Sequence, residues 1–353
     1  KFNEDGTLDS SGTPCFTGKK TVGQDENGKD IKKELAIPPD KNGIEAFCAM
    51  KEYKPFCDNG QIRVLYMHHT DGQGPSMARY IASKLWGGEH YFMQIDSHLR
   101  FADEWDAKFI ADVKLTSSYP KTVFSSYPPG FEQIRFIPKS MGVDLSSVNN
   151  ETVIESPGCR LCHCATPNGK NPMIHIKQSK SYLGNETRPA QQPFLGAGLI
   201  FAHGNFLKEV PYDPYLPWTF MGEEIVLSMR AWTNGWNIYA PRKNWIIHQY
   251  RPAKLGLPKF YASIAGFFNF GMSQMQRRVT RRMKYLMGYP HHTAEHIKED
   301  DLEYVLAEVD KYGLGSVRKW EDFLKFSEIT INATNGDLEC PKRLNWCHEE
   351  ARV

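Results

Sequence analysis

The sequence predicts an α/β fold in which a mixed central sheet is flanked by helices. Short apolar runs that end in polar or Gly/Pro-rich turns are typical of buried strands. Residues 76–86 carry apolar side chains at helical spacing between the first two runs, which predicts a strand–helix–strand unit with a right-handed crossover. A second helix is predicted to begin after Gly222. The predicted strands cover residues 62–67, 91–95, 122–126, 194–202, 237–240 and 245–248.

The composition argues against several kinds of partner. The 353 residues carry 43 basic and 41 acidic side chains, and a formal net charge of +2 gives no reason to expect nucleic acid. No run of about 18 apolar residues is present, so we expect membrane attachment only through a segment outside this sequence. The length suits one large α/β domain with an extension, and the oligomeric state stays open.

We predict three regions along the chain. Residues 1–60 are rich in Gly, Pro, Asp, Asn and Lys, which predicts a loop-rich segment with one short helix. Residues 61–254 carry the predicted sheet, with a cysteine-containing insertion at about 128–193 that we place over the face with the site. Residues 255–353 have helical periodicity and are predicted to form a C-terminal extension.

The strand predicted at 91–95 ends abruptly in Asp96, Ser97 and His98. In open α/β sheets, ligands bind beyond the carboxyl ends of strands. A carboxylate oxygen and an imidazole nitrogen two residues apart can face one divalent cation at such a place. A lone Asp-x-His sequence is also common as a plain strand-end turn, so the metal site depends on a further ligand.

Two later stretches supply further polar groups. Glu223 and Glu224 open a predicted helix, where the helix dipole favours anions and the side chains can reach sugar hydroxyls. His248 ends the last predicted strand. Together with Asp96 and His98 it would make a Mn²⁺-type site with an open coordination face for two phosphate oxygens.

Some of these features also have a purely structural explanation. The two glutamates could merely add charge to a helix start. Gly196 and Gly198 interrupt the strand predicted at 194–202, and they either admit a close ligand or relieve packing. Four arginines between residues 277 and 282 are predicted to line a solvated helix face.

The eight cysteines allow two kinds of chemistry. Cys159, Cys162 and Cys164 lie close together in the predicted insertion, with His175 beyond them. One interpretation is a loop held by disulfides, as expected of an oxidising compartment. The alternative is a structural Zn²⁺ site formed by these three cysteines.

Several blocks of sequence, in order, resemble a known family. The blocks are residues 65–69 (LYMHH), 74–79 (GPSMAR), 94–101 (QIDSHLRF), 218–224 (WTFMGEE), 248–252 (HQYRP) and 310–316 (DKYGLGS). From about Cys57 to Ile329 the chain resembles the polypeptide α-N-acetylglucosaminyltransferases of glycosyltransferase family sixty, which modify hydroxyproline or threonine. The site design is also similar to that of mucin-type N-acetylgalactosaminyltransferases.

The resemblance implies a Rossmann-like GT-A fold and a retaining transfer of GlcNAc from UDP-GlcNAc to a hydroxyl of a protein or peptide acceptor. It implies Mn²⁺ or Mg²⁺ held by Asp96, His98 and His248, with Glu223, Glu224 and Arg251 as catalytic residues. On the donor side, the resemblance implies that Arg79 contacts the nucleotide or diphosphate and that Arg251 contacts the leaving diphosphate. It also implies that Gly196, Ala197 and Gly198 lie against the donor sugar and that Glu223 binds the hydroxyls of this sugar. On the acceptor side, it implies contacts from Glu224 and Trp218.

One departure from that family leaves an alternative function open. GT-A chains begin with an apolar strand that cups the uracil, and residues 1–60 contain no such run. The alternative is therefore a non-catalytic sugar- or protein-binding chain on a degenerate transferase fold. Relatives act in different compartments, and we favour the Golgi lumen or another part of the secretory pathway over the cytoplasm.

Overall fold

The computed structural model describes residues 16–37, 42–67, 71–97, 99–130, 156–165, 173–177, 181–182, 187–248, 250, 271–341 and 344. The chain divides into two compact units, Lys1–Gly72 and Gln73–Val353. Within the ranges just given, no helix combines the length and the apolar character needed to span a membrane.

The first unit contains regular structure where the sequence predicts loops. Its elements are β1 (Phe16–Gln24), β2 (Asp30–Ile37), α1 (Gly43–Ala49) and α2 (Lys54–Asp58). The two strands form an antiparallel hairpin, in which the Asp25 carboxylate accepts the amide N–H groups of Asn27 and Lys29. A disulfide between Cys48 and Cys57 joins the two helices. The strands escape prediction because lysines and threonines interrupt their apolar pattern.

The strand predicted at 62–67 is wrong. No strand forms over these residues, and the side chains of Val64 and Leu65 are 57% and 52% exposed. A short apolar run indicates that a segment is suited to burial in a sheet, but a strand forms only where a neighbouring strand is available for pairing, and the run itself gives no information about that. The predicted strand–helix–strand unit therefore lacks its first strand.

The second unit is the predicted mixed α/β structure. Its strands are β3 (Tyr91–Ile95), β4 (Leu99–Phe101), β5 (Thr122–Ser125), β6 (Ser156–Pro157), β7 (Cys159–Arg160), β8 (His163–Ala165), β9 (His175–Lys177), β10 (Ser181–Tyr182), β11 (Ala190–Gln191), β12 (Leu199–His203), β13 (Asn237–Ala240), β14 (Lys243–Asn244), β15 (Ile246–His248), β16 (Thr330–Ile331) and β17 (Leu338–Glu339). The central sheet has the order β11-β13-β5-β12-β3, in which β13 and β5 run parallel and the other pairs antiparallel.

Helices flank this sheet and continue into the C-terminal part. They are α3 (Pro75–Ser83), α4 (Trp105–Val113), α5 (Phe206–Glu209), α6 (Glu223–Thr233), α7 (Gly271–Leu286), α8 (Glu299–Leu306), α9 (Val309–Tyr312) and α10 (Trp320–Ser327), with a 3₁₀ turn at Ala294–His296. The helix predicted after Gly222 is confirmed as α6. The two glycines predicted to interrupt a strand instead precede β12.

Alternate residues of the central strands pack into different clusters, which is why both faces of the sheet are apolar. Val123 and Ile200 contact one cluster, which includes Leu227 of α6. Phe124 and Phe201 contact the other, which includes residues of α4 and β15. The sheet is thus buried on both sides, and its strand ends are the places where polar groups emerge.

The structure excludes the zinc alternative for the cysteine cluster. Cys164 forms a disulfide with Cys340, and Cys162 is also disulfide-bonded. Sulfur in a disulfide is not a thiolate and does not bind Zn²⁺ as the predicted site requires. Cys159 is a buried thiol. The disulfide interpretation of this insertion is therefore confirmed.

One of the arginines predicted to be solvated is wholly buried. Arg282 of α7 has no exposed surface, and its Nε donates to Asp213 Oδ2 at 2.8 Å. Its Nη1 donates to the carbonyls of Val305 and Ala307 at 2.9 and 2.8 Å. The guanidinium therefore joins α7 and the end of α8 to the segment that leads to Trp218.

We expect Arg282→Ala to lower the free energy of unfolding by about 3–5 kcal/mol, because Asp213 would be left buried and uncompensated. Urea unfolding followed by circular dichroism measures the change. Arg277→Ala, at an exposed position of the same helix, is the matched control and should stay within about 0.5 kcal/mol of wild type. Equal effects of the two substitutions would contradict the assignment.

Candidate active site

His248 lies beside the turn after β3 because of the pairing of two short strands. β4 and β15 are antiparallel, and His248 lies opposite Leu99. Leu99 follows Asp96 by only three residues in the sequence. The His248 amide also donates to the carbonyl of Pro129 at 3.0 Å. As a result, His248 Nε2 lies 4.0 Å from Asp96 Oδ2. Two of the predicted metal ligands, which are distant in sequence, are therefore neighbours.

The separation of these two atoms fits ligands of one cation. Ligands bound about 2.1 Å from one ion stand at most about 4.2 Å apart, so the observed 4.0 Å allows both atoms to bind one ion from nearly opposite sides. Asp96 is about half exposed, so further ligands can approach. A carboxylate with an imidazole suits Mn²⁺ and, less well, Mg²⁺.

The third predicted ligand, His98, lies outside the described residues, and its role stays a prediction. Over the part of the chain that the structure describes, no cluster of three or more His, Cys, Asp or Glu side chains is arranged to bind a metal.

The two predicted carboxylates lie at the start of α6 with different partners. Glu223 Oε1 accepts a hydrogen bond from Arg79 Nη1 at 3.2 Å. Glu224 Oε1 accepts two short hydrogen bonds, from the Tyr127 hydroxyl and from the Ala197 amide, each at 2.6 Å. Glu224 is thus held by donors from two other segments of the chain.

Gly222 allows the chain to enter α6 at this point. Its φ is +93°, a conformation that favours glycine, and an added Cβ would lie 2.9 Å from Met173 Cβ. A side chain at position 222 would therefore strain the backbone and also clash with Met173. The first two residues of α6, Glu223 and Glu224, follow at the positive end of the helix dipole.

Gly196 and Gly198 make room for an aromatic ring. A Cβ on Gly196 would lie 2.9 Å from Tyr127 Cε1, and a Cβ on Gly198 would lie 3.2 Å from Tyr127 Cδ1. The ring of Tyr127 is thus seated against this backbone, with its hydroxyl directed to Glu224. The close approach of a donor sugar to the same backbone stays a prediction.

Buried side chains hold the backbone from residue 194 to 198 in place. Ser125 Oγ accepts the Gly196 amide at 2.8 Å, and Gln94 Nε2 donates to the Ala197 carbonyl at 2.5 Å. Ser228 of α6 accepts the Leu195 amide at 2.8 Å. The amide of Ala197 is therefore presented to Glu224 by a rigid segment.

Burial changes the acid–base properties of both glutamates. Burial raises the pKa of Glu223 to about 8, the Glu224 carboxylate adds to this, and the guanidinium of Arg79 opposes it. The 3.2 Å contact with Arg79 is longer than the 2.7–2.9 Å typical of charge-assisted bonds, so it does not offset the burial. Burial also raises the pKa of Glu224, although the bonds from Ala197 and Tyr127 lower it. Both carboxyls therefore retain a proton to a higher pH than an exposed glutamate does.

A small cavity of about 30 Å³ lies next to this pair. Its surface is mainly apolar, and polar side chains that include Ser76, Arg79, Gln94, Tyr212 and Glu223 line part of it. Ser76 Oγ and Glu223 Oε2 are buried and form no hydrogen bond to any residue that the structure describes. The cavity has room for a water molecule or for one polar group of a ligand.

Two other predicted site residues have different outcomes. Trp218 is half-buried with a φ of +52°, which is unusual for a bulky residue, and its amide donates to the Gln73 carbonyl at 2.5 Å. Its contact with an acceptor stays a prediction. Arg251 lies outside the described residues.

The sequence does not single out three residues of this cluster: Tyr127, Gln94 and Tyr212. The Tyr212 hydroxyl donates to Gln94 Oε1 at 3.2 Å, and Gln94 in turn donates to Ala197. Gln94 sits two residues before Asp96 on a strand pattern that is otherwise apolar, and this is the one signal that could have identified it.

Comparison with known proteins gives one family match. Residues 8–333 match the model of the family described as Glycosyltransferase (GlcNAc). The chain is also similar to a solved structure titled "Crystal structure of GalNAc-T7 with UDP, GalNAc and Mn2+", with a TM-score of 0.41 and 15% identity. That match covers 81% of this chain and 48% of the other, so the chain spans about half the length of that structure. No curated protein matches.

The raised pKa of Glu223 predicts that the protein becomes less stable as the pH rises. Between about pH 4.5 and 8 the folded state retains a proton that the unfolded state has lost, so the free energy of unfolding should fall across this range. We expect this fall to be smaller by at least about 2 kcal/mol in Glu223→Gln, in which only Glu224 and Asp112, whose pKa values are also raised by burial, still contribute to it. Unfolding at a series of pH values measures it. A fall of the same size in Glu223→Gln as in wild type and in the exposed Glu321→Gln control would contradict the assignment.

Proposed function

Because the chain belongs to the Glycosyltransferase (GlcNAc) family, we propose that it transfers GlcNAc from UDP-GlcNAc to a hydroxyl of a protein or peptide. In this proposal the acceptor is hydroxyproline or Thr/Ser, the anomeric configuration is retained, and the reaction depends on Mn²⁺ or Mg²⁺. The 4.0 Å approach of Asp96 to His248 is the observation on which the proposal depends.

Asp96 and His248 would hold the cation, with His98 as the predicted third ligand. The cation would supply positive charge against the diphosphate that leaves during transfer. Asp96 also contributes to the electrostatic environment of Glu224, since its charge raises the pKa of that carboxyl. The metal ligands and the carboxylate pair are therefore close enough to act on one substrate.

Glu223 and Arg79 would act on the donor side. Glu223 Oε2 is buried beside the cavity and has no hydrogen bond within the described residues, so it has the capacity to bind a sugar hydroxyl. The contact between Arg79 and Glu223 fixes the orientation of both side chains. Arg79 brings a permanent positive charge to the side where a nucleotide sugar diphosphate is expected.

Glu224 and Trp218 would act on the acceptor side, and Arg251 would contact the leaving diphosphate. Glu224 is held in place by the hydrogen bonds that Tyr127 and Ala197 donate to its Oε1, and we propose that it binds a hydroxyl of the acceptor.

We also propose an oxidising compartment, such as the Golgi lumen, for this protein. Disulfides at Cys48–Cys57 and Cys164–Cys340 support this location, because such bonds persist in secretory compartments and are rare in the cytoplasm. A reduced state of these cysteines in protein isolated from cells would contradict it.

We expect release of UDP from UDP-GlcNAc in the presence of Mn²⁺ and a peptide containing hydroxyproline or threonine, and transfer of one GlcNAc to that peptide. Chelation and Asp96→Ala should each reduce the rate by more than about 100-fold, because each removes the cation. Mass spectrometry of the peptide and nuclear magnetic resonance of the new linkage identify the product and its anomer. Binding of UDP-GlcNAc without turnover under all these conditions would favour the non-catalytic alternative.

We expect His248→Ala to abolish transfer while the melting temperature stays within about 5 °C of wild type, since the side chain lies at the end of a short strand. His203→Ala is a matched control, because His203 pairs with Tyr91 at the other end of β3. Thermal unfolding and the UDP assay are measured on both variants. Retention of activity in His248→Ala would overturn the metal site.

A further inference from the structure

We propose that Tyr127 is a positioning residue, which locks the Glu224 carboxylate so that one chosen oxygen faces the substrate. The inference rests on the proposed function, because it concerns the acceptor side of the same site. It adds a residue that neither the sequence motifs nor the family match point to.

Both hydrogen bonds to Glu224 fall on a single oxygen. The Tyr127 hydroxyl and the Ala197 amide each lie 2.6 Å from Oε1. Two short bonds to one oxygen set the rotation of the whole carboxylate. Neither of these two bonds falls on Oε2, which we propose is the oxygen that meets the substrate.

The tyrosine is itself held on two sides. The glycines at 196 and 198 leave the space that its ring occupies, as the Cβ contacts of 2.9 and 3.2 Å show. Its hydroxyl has a short bond at the other end. Because contacts restrict both its ring and its hydroxyl, Tyr127 has little room to move, and it therefore restricts the orientation of the Glu224 carboxylate.

The helix that carries Glu224 is tied to the same segment. Ser228 Oγ accepts the Leu195 amide at 2.8 Å and donates to the Glu224 carbonyl at 2.6 Å, and Ser228 is fully buried. One hydroxyl thus joins the backbone of α6 to the segment that contains Ala197. The Ala197 amide, which donates to Glu224, and the backbone of Glu224 are therefore tied to each other through Ser228 as well.

The charges around Glu224 require such a lock. Arg79 lowers the pKa of this carboxyl and Asp96 raises it, while burial is the largest influence and also raises it. Glu223 is its immediate neighbour and shares the same buried site. The bond from the Tyr127 hydroxyl lowers this pKa, so loss of the hydroxyl would raise the pKa of Glu224 further.

Tyr127→Phe tests the proposal, since it keeps the ring and removes the hydroxyl. We expect kcat for GlcNAc transfer to fall by about 10–100-fold, with the KM for UDP-GlcNAc changed by less than about threefold. The acidic limb of the pH–rate profile should move up by about one pH unit, because the carboxylate loses a charge-assisted bond. Tyr304→Phe, which removes a hydroxyl bonded to the Tyr215 carbonyl outside the cluster, is the matched control.

Gly198→Ala is a second variant with an independent effect on the same contact. It leaves the polar groups of Tyr127 and Glu224 in place but pushes the ring, since the new Cβ would lie 3.2 Å from Tyr127 Cδ1. We expect its kcat to fall in the same direction. Unchanged kcat in both variants, or a pH–rate profile that stays at the wild-type position in Tyr127→Phe, would overturn the proposal.

A double-mutant cycle separates failure of the inference from failure of the proposed function. Unfolding free energies of Tyr127→Phe, Glu224→Ala and the double variant need no substrate. We expect the two single effects to be non-additive, because the residues share a bond. If wild type does not turn over UDP-GlcNAc, the proposed function fails, and non-additivity still supports the lock. Additive effects would overturn the lock whatever the activity.

Discussion

The register between β4 and β15 is the contact on which the candidate site depends. It places His248 opposite Leu99 and thus beside Asp96, although the two strands lie far apart in sequence. Side chains alternate along a strand, so a slip of one residue would turn His248 to the opposite face. Ile246 and Ile247 point to opposite faces and are both buried, so a slip would move each of them out of its own packing contacts. Core packing therefore maintains the geometry of polar groups that contribute little to stability themselves.

The carboxylate pair shows a different balance of forces. Removing two adjacent acids from water is unfavourable, and the structure treats them unequally. Glu224 receives two short hydrogen bonds, whereas Glu223 has a longer contact with Arg79 and one buried oxygen with no hydrogen bond among the described residues. The sheet and α6 hold both in place. Such an arrangement lowers stability locally and is expected where binding a substrate matters more than stability.

Local patterns in the sequence predict part of the fold and of the site. The strands at 122–125 and 237–240 and the start of α6 are predicted within one residue, because fully buried runs between turns carry their own signal. Tyr127 is not predicted, since its importance depends on a carboxylate 97 residues away. The hairpin formed by β1 and β2 is not predicted, because lysines and other polar residues interrupt the alternation of apolar and polar side chains that indicates a strand. Long-range contacts of this kind leave no trace in a local pattern.

The disulfide between Cys164 and Cys340 has a consequence for how the protein is made. The two cysteines are 176 residues apart, so the first emerges from the ribosome long before its partner. During synthesis Cys164 must therefore remain a thiol or pair temporarily with another cysteine. The covalent closure of this insertion therefore waits until the residues between the two cysteines have been made, and a compartment with thiol–disulfide exchange catalysts would correct any early mispairing.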